Sequence, residues 1–112
     1  FYPRFRGLSE EPRAYKVEGI GEDFMPETFD MSVVDEIVRV SDKEAFHMAR
    51  RLAREEGILV GGSGGAAVIG ALKAGHALDR DKIVVTLLPD TGRNYLSKFF
   101  SDEWMKEQSF LH

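Results

Sequence analysis

The sequence predicts an α/β protein in which a parallel-rich sheet is flanked by helices, because strand-like and helix-like segments alternate along the chain. Residues 83–88 are apolar almost throughout, as are strands buried inside parallel sheets. A glycine-rich loop at residues 61–65 joins the apolar triplet 58–60 to a helical pattern. This order of strand, turn and helix is typical of α/β proteins.

The first forty residues predict a loop and two weak strands. Residues 1–14 contain two prolines and a glycine and are expected to be a loop that precedes one α/β domain over 15–112. Short strands are predicted at 15–18 and 36–40. Residues 22–31 hold a proline and several acids and are expected to be irregular.

The clearest helix follows Ser41. Ser41 and Glu44 form a Ser-x-x-Glu capping box, in which each residue satisfies an unpaired donor of the first turn. Gly57 supplies the stop at the other end. An apolar stripe at helical spacing comprises Ala45, Phe46, Met48, Ala49, Leu52 and Ala53. Phe46 and Met48 are therefore predicted to lie in the core.

The rest of the chain continues the alternation. The predicted elements are a strand at 58–60, a helix at about 65–78, a strand at 83–88 and short helices at 95–100 and 102–106. The second helix is rich in alanine and glycine, which allows close packing against a sheet.

Composition excludes several classes of protein. The formal net charge is −4 without a basic patch, which disfavours a nucleic-acid partner. The absence of cysteine excludes disulfides and thiolate metal sites, and the three histidines lie far apart, so no metal site is expected. No apolar run reaches membrane-spanning length and no signal peptide is recognised, so a cytoplasmic location is expected.

Two loops follow predicted strands, where open α/β sheets place their ligands. They are residues 61–65 and 89–94. The glycine spacing of the first fits neither the dinucleotide fingerprint nor the phosphate loop. From the residues alone, three interpretations remain open: a phosphate or nucleotide site, a purely structural turn, or a site for another ligand.

Three spaced motifs resemble one enzyme family. They are GIGEDFMP at 19–26, EEGILVGGS at 55–63 and LPDTGRNY at 88–95. Together they look like the C-terminal part of the catalytic core of cystathionine β-synthases, which are pyridoxal-phosphate enzymes of fold type II. The match covers about residues 15–110 and implies pyridoxal 5'-phosphate as the cofactor.

The resemblance also implies what the 112 residues lack. Family members hold the cofactor through a Schiff-base lysine and a separate phosphate loop nearer the N-terminus, and neither motif is found here. The lysines are instead expected to be solvated surface charges: Lys16, Lys43, Lys73, Lys82, Lys98 and Lys106. The chain is thus expected to be a fragment that carries no catalytic residue of its own. Its expected partner is the remaining N-terminal part of the same enzyme, and the family is commonly dimeric.

Site residues follow from the motifs, residue by residue. In the family, the serine of the Gly-Gly-Ser loop hydrogen-bonds the pyridine nitrogen of the cofactor. That position is Ser63 here, and the preceding Gly61 and Gly62 are expected to contact the cofactor as well. A neutral hydroxyl suits β-replacement because it leaves the ring a weaker electron sink than a carboxylate partner does. The alternative is that Ser63 only caps the following helix.

The other two motifs supply the remaining expectations. Pro89 and Asp90 resemble a family pair near the ring nitrogen, where the carboxylate orients the serine loop. Gly19, Ile20 and Gly21 resemble the loop that borders the amino-acid substrate. Glu22 either holds a water or an amino group of the second substrate, or is simply solvated.

The implied function is β-replacement that condenses L-serine with homocysteine to cystathionine. A cysteine synthase, which uses O-acetylserine and sulfide, is the enzymatic alternative. A non-catalytic α/β module that binds a phosphate or a nucleotide is the alternative from another class.

Overall fold

A computed structural model describes residues 16–17, 20 and 26–111. Within these residues there are three α-helices, α1 (Asp42–Arg51), α2 (Gly62–Gly75) and α3 (Asp102–Glu107). Shorter elements are a π-helical turn at Leu52–Glu56 and 3₁₀ turns at Met31–Val33 and Gly92–Tyr95. The predicted loop at 1–14 lies outside the described residues.

Helix α1 begins where its local signals predict, and the π-helical turn that continues it ends at the predicted stop. The Ser41 hydroxyl accepts a hydrogen bond from the backbone N–H of Glu44, whose carboxylate accepts from the backbone N–H of Ser41. At the other end, Gly57 follows the π-helical turn with φ of 67°, a left-handed conformation that favours glycine. Both capping predictions are confirmed.

The predicted sheet is not formed by the described residues. Residues 36–40, 58–60 and 83–88 form no strand there, and Lys16 and Val17 of the predicted strand 15–18 are not in a strand either. The one described bridge is antiparallel, between Val60 and Thr91. A strand needs a hydrogen-bonded neighbour, and the segment 83–88 leaves most of its apolar side chains in solvent, with Val85 88% exposed. These strand predictions are therefore wrong for the described part of the chain.

Helix α2 begins three residues earlier than predicted. Its first turn contains the glycines that the sequence assigns to a loop, and it packs directly on α1. The first of the predicted short helices, at 95–100, is likewise replaced by the 3₁₀ turn Gly92–Tyr95 and the irregular turns after it. The second is confirmed as α3, which Ser101 caps through the backbone N–H of Trp104.

The core is built around Phe46 of α1. Its ring stacks on Phe99 at 4.7 Å between centroids and meets Trp104 and Phe110, each at 5.5 Å. Phe46 is 2% exposed and Met48 is 7% exposed, which confirms both as core residues. Through these aromatic contacts, α1 holds the C-terminal segment against the start of α2.

Polar contacts reinforce the same packing. Arg50 donates to the carbonyl oxygen of Phe99 at 2.9 Å and forms an ion pair with Asp102. His47 Nε2 lies 2.8 Å from the carbonyl oxygen of Phe110. None of the helices in the described ranges has the length and apolar character needed to cross a membrane.

Candidate functional site

A cavity of about 480 Å³ lies against the N-terminal half of α2. Most of its wall is aliphatic and comes from α2 and from the segment 37–40: Ile37, Val38, Val40, Ala66 and Ala67. The wall also contains Ile20, Ser63 and Pro89. Each of these last three belongs to a different one of the three sequence motifs, so the fold brings the motifs together at one cavity.

Ser63 places a hydroxyl group in this wall. It is the second residue of α2 and is 8% exposed. The residue at the cap position is Gly61, and no side chain caps the helix, so the interpretation of Ser63 as a helix cap is wrong. The Ser63 hydroxyl makes no hydrogen bond to a described residue. It is therefore available to a ligand in the cavity.

Gly61 is a glycine because a neighbouring side chain occupies the place of its Cβ. A Cβ at this position would lie 2.0 Å from the Asp90 Oδ1 atom. A Cβ on Gly62 would lie 2.9 Å from the Phe46 ring. Because glycine has no Cβ, the Asp90 carboxylate can approach the backbone at Gly61, and the Phe46 ring can approach it at Gly62. Their predicted contacts with the cofactor stay predictions.

Asp90 links the turn before α2 to the 3₁₀ turn after it. Its carbonyl oxygen accepts a hydrogen bond from the backbone N–H of Gly61 at 3.4 Å. Its carboxylate accepts a hydrogen bond from the Tyr95 hydroxyl at 2.8 Å. Asp90 does not appear among the residues that line the cavity, whereas Pro89 does. This placement agrees with an orienting role for Asp90, whose contact with the cofactor stays a prediction.

The predicted substrate-side loop is described only at Ile20. Gly19, Gly21 and Glu22 lie outside the described residues. Ile20 is 39% exposed and lines the cavity. The expected roles of this loop therefore stay predictions.

Sequence reasoning missed a contact between Lys73 and the segment 37–40, which forms part of the cavity wall. Lys73 of α2 donates to the carbonyl oxygen of Arg39 at 3.0 Å and pairs with Glu44 at 2.9 Å. Its side chain is 43% exposed, as the sequence predicts for a surface charge, and it is also held by these two partners. The nearer partner is 29 positions away in the sequence, so no local pattern points to the pairing.

Glu44 is linked by its charge to Lys73, which contacts the segment 37–40. The backbone N–H of Ser41 and the ammonium of Lys73 lower its pKa from 4.5 to about 2. Glu44 is therefore ionised at neutral pH and serves both the cap of α1 and the contact with α2.

In the described ranges, no three side chains of metal-ligating type come together.

The family follows from comparison with known proteins. The sequence model of the family of pyridoxal-phosphate dependent enzymes matches residues 4–90, so the chain belongs to this family. A cavity with aliphatic walls and one available neutral hydroxyl suits one face and the ring nitrogen of an aromatic cofactor. Pyridoxal phosphate, predicted from the motifs, is confirmed as the cofactor of the family.

The most similar relatives include cystathionine β-synthases. The chain is 52% identical over 101 residues to that of Oryctolagus cuniculus, covering 90% of this chain and 18% of the relative. For Dictyostelium discoideum the identity is 44% over 104 residues, covering 93% and 21%. The chain thus spans about a fifth of the length of the curated relatives it matches. The resemblance predicted from the three motifs is confirmed.

A solved structure of a related enzyme is also similar to this chain. The chain matches a hydrogen sulfide-producing enzyme, crystallised as a mutant with an α-aminoacrylate intermediate, at 37% identity and a TM-score of 0.73. The match covers 80% of this chain and 27% of that one. It supports fold type II for the protein, although the described residues form no strand of their own.

Proposed function

We propose that this chain supplies the cofactor-ring side of a pyridoxal-phosphate enzyme that condenses L-serine with homocysteine to cystathionine by β-replacement. The observation that carries the proposal is the cavity that Ile20, Ser63 and Pro89 share. The similarity to cystathionine β-synthases over about nine-tenths of the chain supports this choice of substrates. Nothing in the comparisons favours a cysteine synthase or a non-catalytic phosphate-binding module.

When bound, pyridoxal phosphate supplies an electron sink for the bonds around the α-carbon of an amino acid. Ser63 would donate one hydrogen bond from its neutral hydroxyl to the pyridine nitrogen. The aliphatic wall at Ala66 and Ala67 would exclude water from one face of the ring. Pro89 would cover the edge of the cofactor ring that lies next to Ser63.

The remaining N-terminal part of the enzyme is the proposed partner of this chain. It would supply the Schiff-base lysine and the phosphate loop, which the resemblance places outside these residues. The exposed apolar side chains of residues 83–88 give that partner a surface to cover. A second copy of the complete enzyme is the further partner that the resemblance implies.

The test uses the full-length enzyme that contains this chain. After reconstitution with pyridoxal phosphate, its rate with L-serine plus homocysteine is compared with its rate with O-acetylserine plus sulfide. The proposal expects the first pair to be used with at least a tenfold higher kcat/KM. Preference for the second pair would contradict the proposed substrates, and failure to bind the cofactor would contradict the proposed site.

A further inference from the structure

We infer that Tyr95 is a positioning residue, which holds Ser63 in place through the carboxylate of Asp90. The inference rests on the proposed function, because the quantity that it concerns is the contact between Ser63 and the cofactor. Tyr95 lies outside the cavity and would not touch the cofactor or the substrates. Its effect would therefore be indirect.

The carboxylate of Asp90 is held from two sides. The Tyr95 hydroxyl donates to Asp90 Oδ2 at 2.8 Å, and the other carboxylate oxygen lies where a Cβ of Gly61 would be. The carboxylate is thus held between a hydroxyl on one side and the backbone of Gly61 on the other. A hydrogen bond to a charged acceptor is stronger than one between neutral groups.

Gly61 is connected to Ser63 through the first turn of α2. Gly61 is the cap residue of α2, and its carbonyl oxygen accepts the backbone N–H of Gly65 at 3.2 Å. Ser63 stands two residues after Gly61 inside the first turn of this helix. A shift of the backbone at Gly61 would therefore move the Ser63 hydroxyl relative to the cavity.

Tyr95 is itself packed against the aromatic core. Its ring stacks on Phe99 at 5.3 Å, and Phe99 is 1% exposed and stacks in turn on Phe46. The phenol ring is thus held by the core, while its hydroxyl reaches the turn beside the cavity. Through Asp90 and Gly61, this arrangement would connect the buried aromatic cluster to Ser63, the residue proposed to contact the cofactor.

The experiment is a double-mutant cycle in the full-length enzyme. Tyr95→Phe removes the hydroxyl and keeps the stacked ring, and Ser63→Ala removes the proposed contact. The dissociation constant for pyridoxal phosphate and the absorbance spectrum of the bound cofactor are measured for both single variants, the double variant and the parent. Thr91→Val serves as the control, because it removes a hydroxyl from the same turn whose partner is the backbone of Arg93 rather than Asp90.

Tyr95→Phe should raise the dissociation constant about three- to tenfold and shift the spectrum of the bound cofactor, as expected for loss of one charge-assisted hydrogen bond. In the Ser63→Ala background, the same change should have less than a twofold effect. Thr91→Val should stay within twofold of the parent. Equal effects of Tyr95→Phe in both backgrounds, or no effect in either, would overturn the inference. Failure of the parent enzyme to bind the cofactor would instead count against the proposed function.

Discussion

Gly65 of α2 lies against the carbonyl oxygen of Ala45 in α1, so closely that a Cβ on Gly65 would come within 2.1 Å of that oxygen. The contact sets the distance between the two helices because neither backbone can withdraw without opening the core around Phe46. The glycine-rich run therefore serves helix packing at Gly65, and ligand contact is proposed only for Ser63.

Replacing Gly65 by alanine should destabilise the protein by about 3 kcal/mol, because the added methyl group would force α1 and α2 apart. Gly70 provides a matched control within the same helix, since a Cβ there meets nothing within 4 Å. Gly70→Ala should raise the free energy of unfolding by about 0.5–1 kcal/mol through helix propensity. Urea unfolding of the full-length protein compares the two. Equal effects would contradict the close approach at Gly65.

Gly57 should resist substitution for a different reason. A Cβ at this position meets nothing, but φ is 67°. Gly57→Ala should therefore destabilise the protein by about 1–2 kcal/mol through backbone strain alone. Gly57→Asn should have a smaller effect, because asparagine tolerates the left-handed conformation better than alanine does. Thermal unfolding of the two variants gives the comparison, and a stable alanine variant would count against the described turn.

Glu44 should make stability depend on acid pH. Its pKa in the folded protein is lowered to about 2, so its contribution is complete above the unfolded value near 4.5 and is lost as the pH falls through 2. Glu44→Gln keeps the geometry of the cap and removes the charge. At pH 7 this variant should be less stable by about 1 kcal/mol, since solvent screens the half-exposed pair with Lys73.

The measurement for Glu44 is a series of urea midpoints between pH 7 and pH 2. The difference between the parent and Glu44→Gln should shrink as the pH falls from about 4.5 towards 2. A difference that stays constant over this range would show that the charge of Glu44 does not stabilise the folded protein through Ser41 and Lys73.

Local signals predict the helix ends but not the sheet. Ser41, Glu44 and Gly57 act through neighbours within a few residues, so their patterns can be read directly from the sequence. The strand predicted at 83–88 depends on hydrogen-bonding partners that the described residues do not provide. The start of α2 at Gly62 was missed because glycine has low helix propensity, and packing against α1 overrides that preference.

The candidate site shows the same division. Ser63, Pro89 and Ile20 were identified from motifs, and the structure places all three at one cavity. Lys73 and Tyr95 were not identified as parts of the site. Lys73 acts across the interface of two helices, and the proposed effect of Tyr95 on the cavity passes through Asp90. Such indirect contacts leave no recognisable spacing in a single sequence.

The central claim is that Ser63 gives the ring nitrogen of the cofactor a neutral hydrogen-bond donor. The most direct measurement is the nitrogen-15 chemical shift of ring-labelled pyridoxal phosphate bound to the full-length enzyme and to its Ser63→Asp variant. The account predicts an unprotonated, hydrogen-bonded nitrogen in the parent and a protonated one in Ser63→Asp, with at least a tenfold loss of β-replacement rate. The same chemical shift and an undiminished rate in both proteins would contradict it.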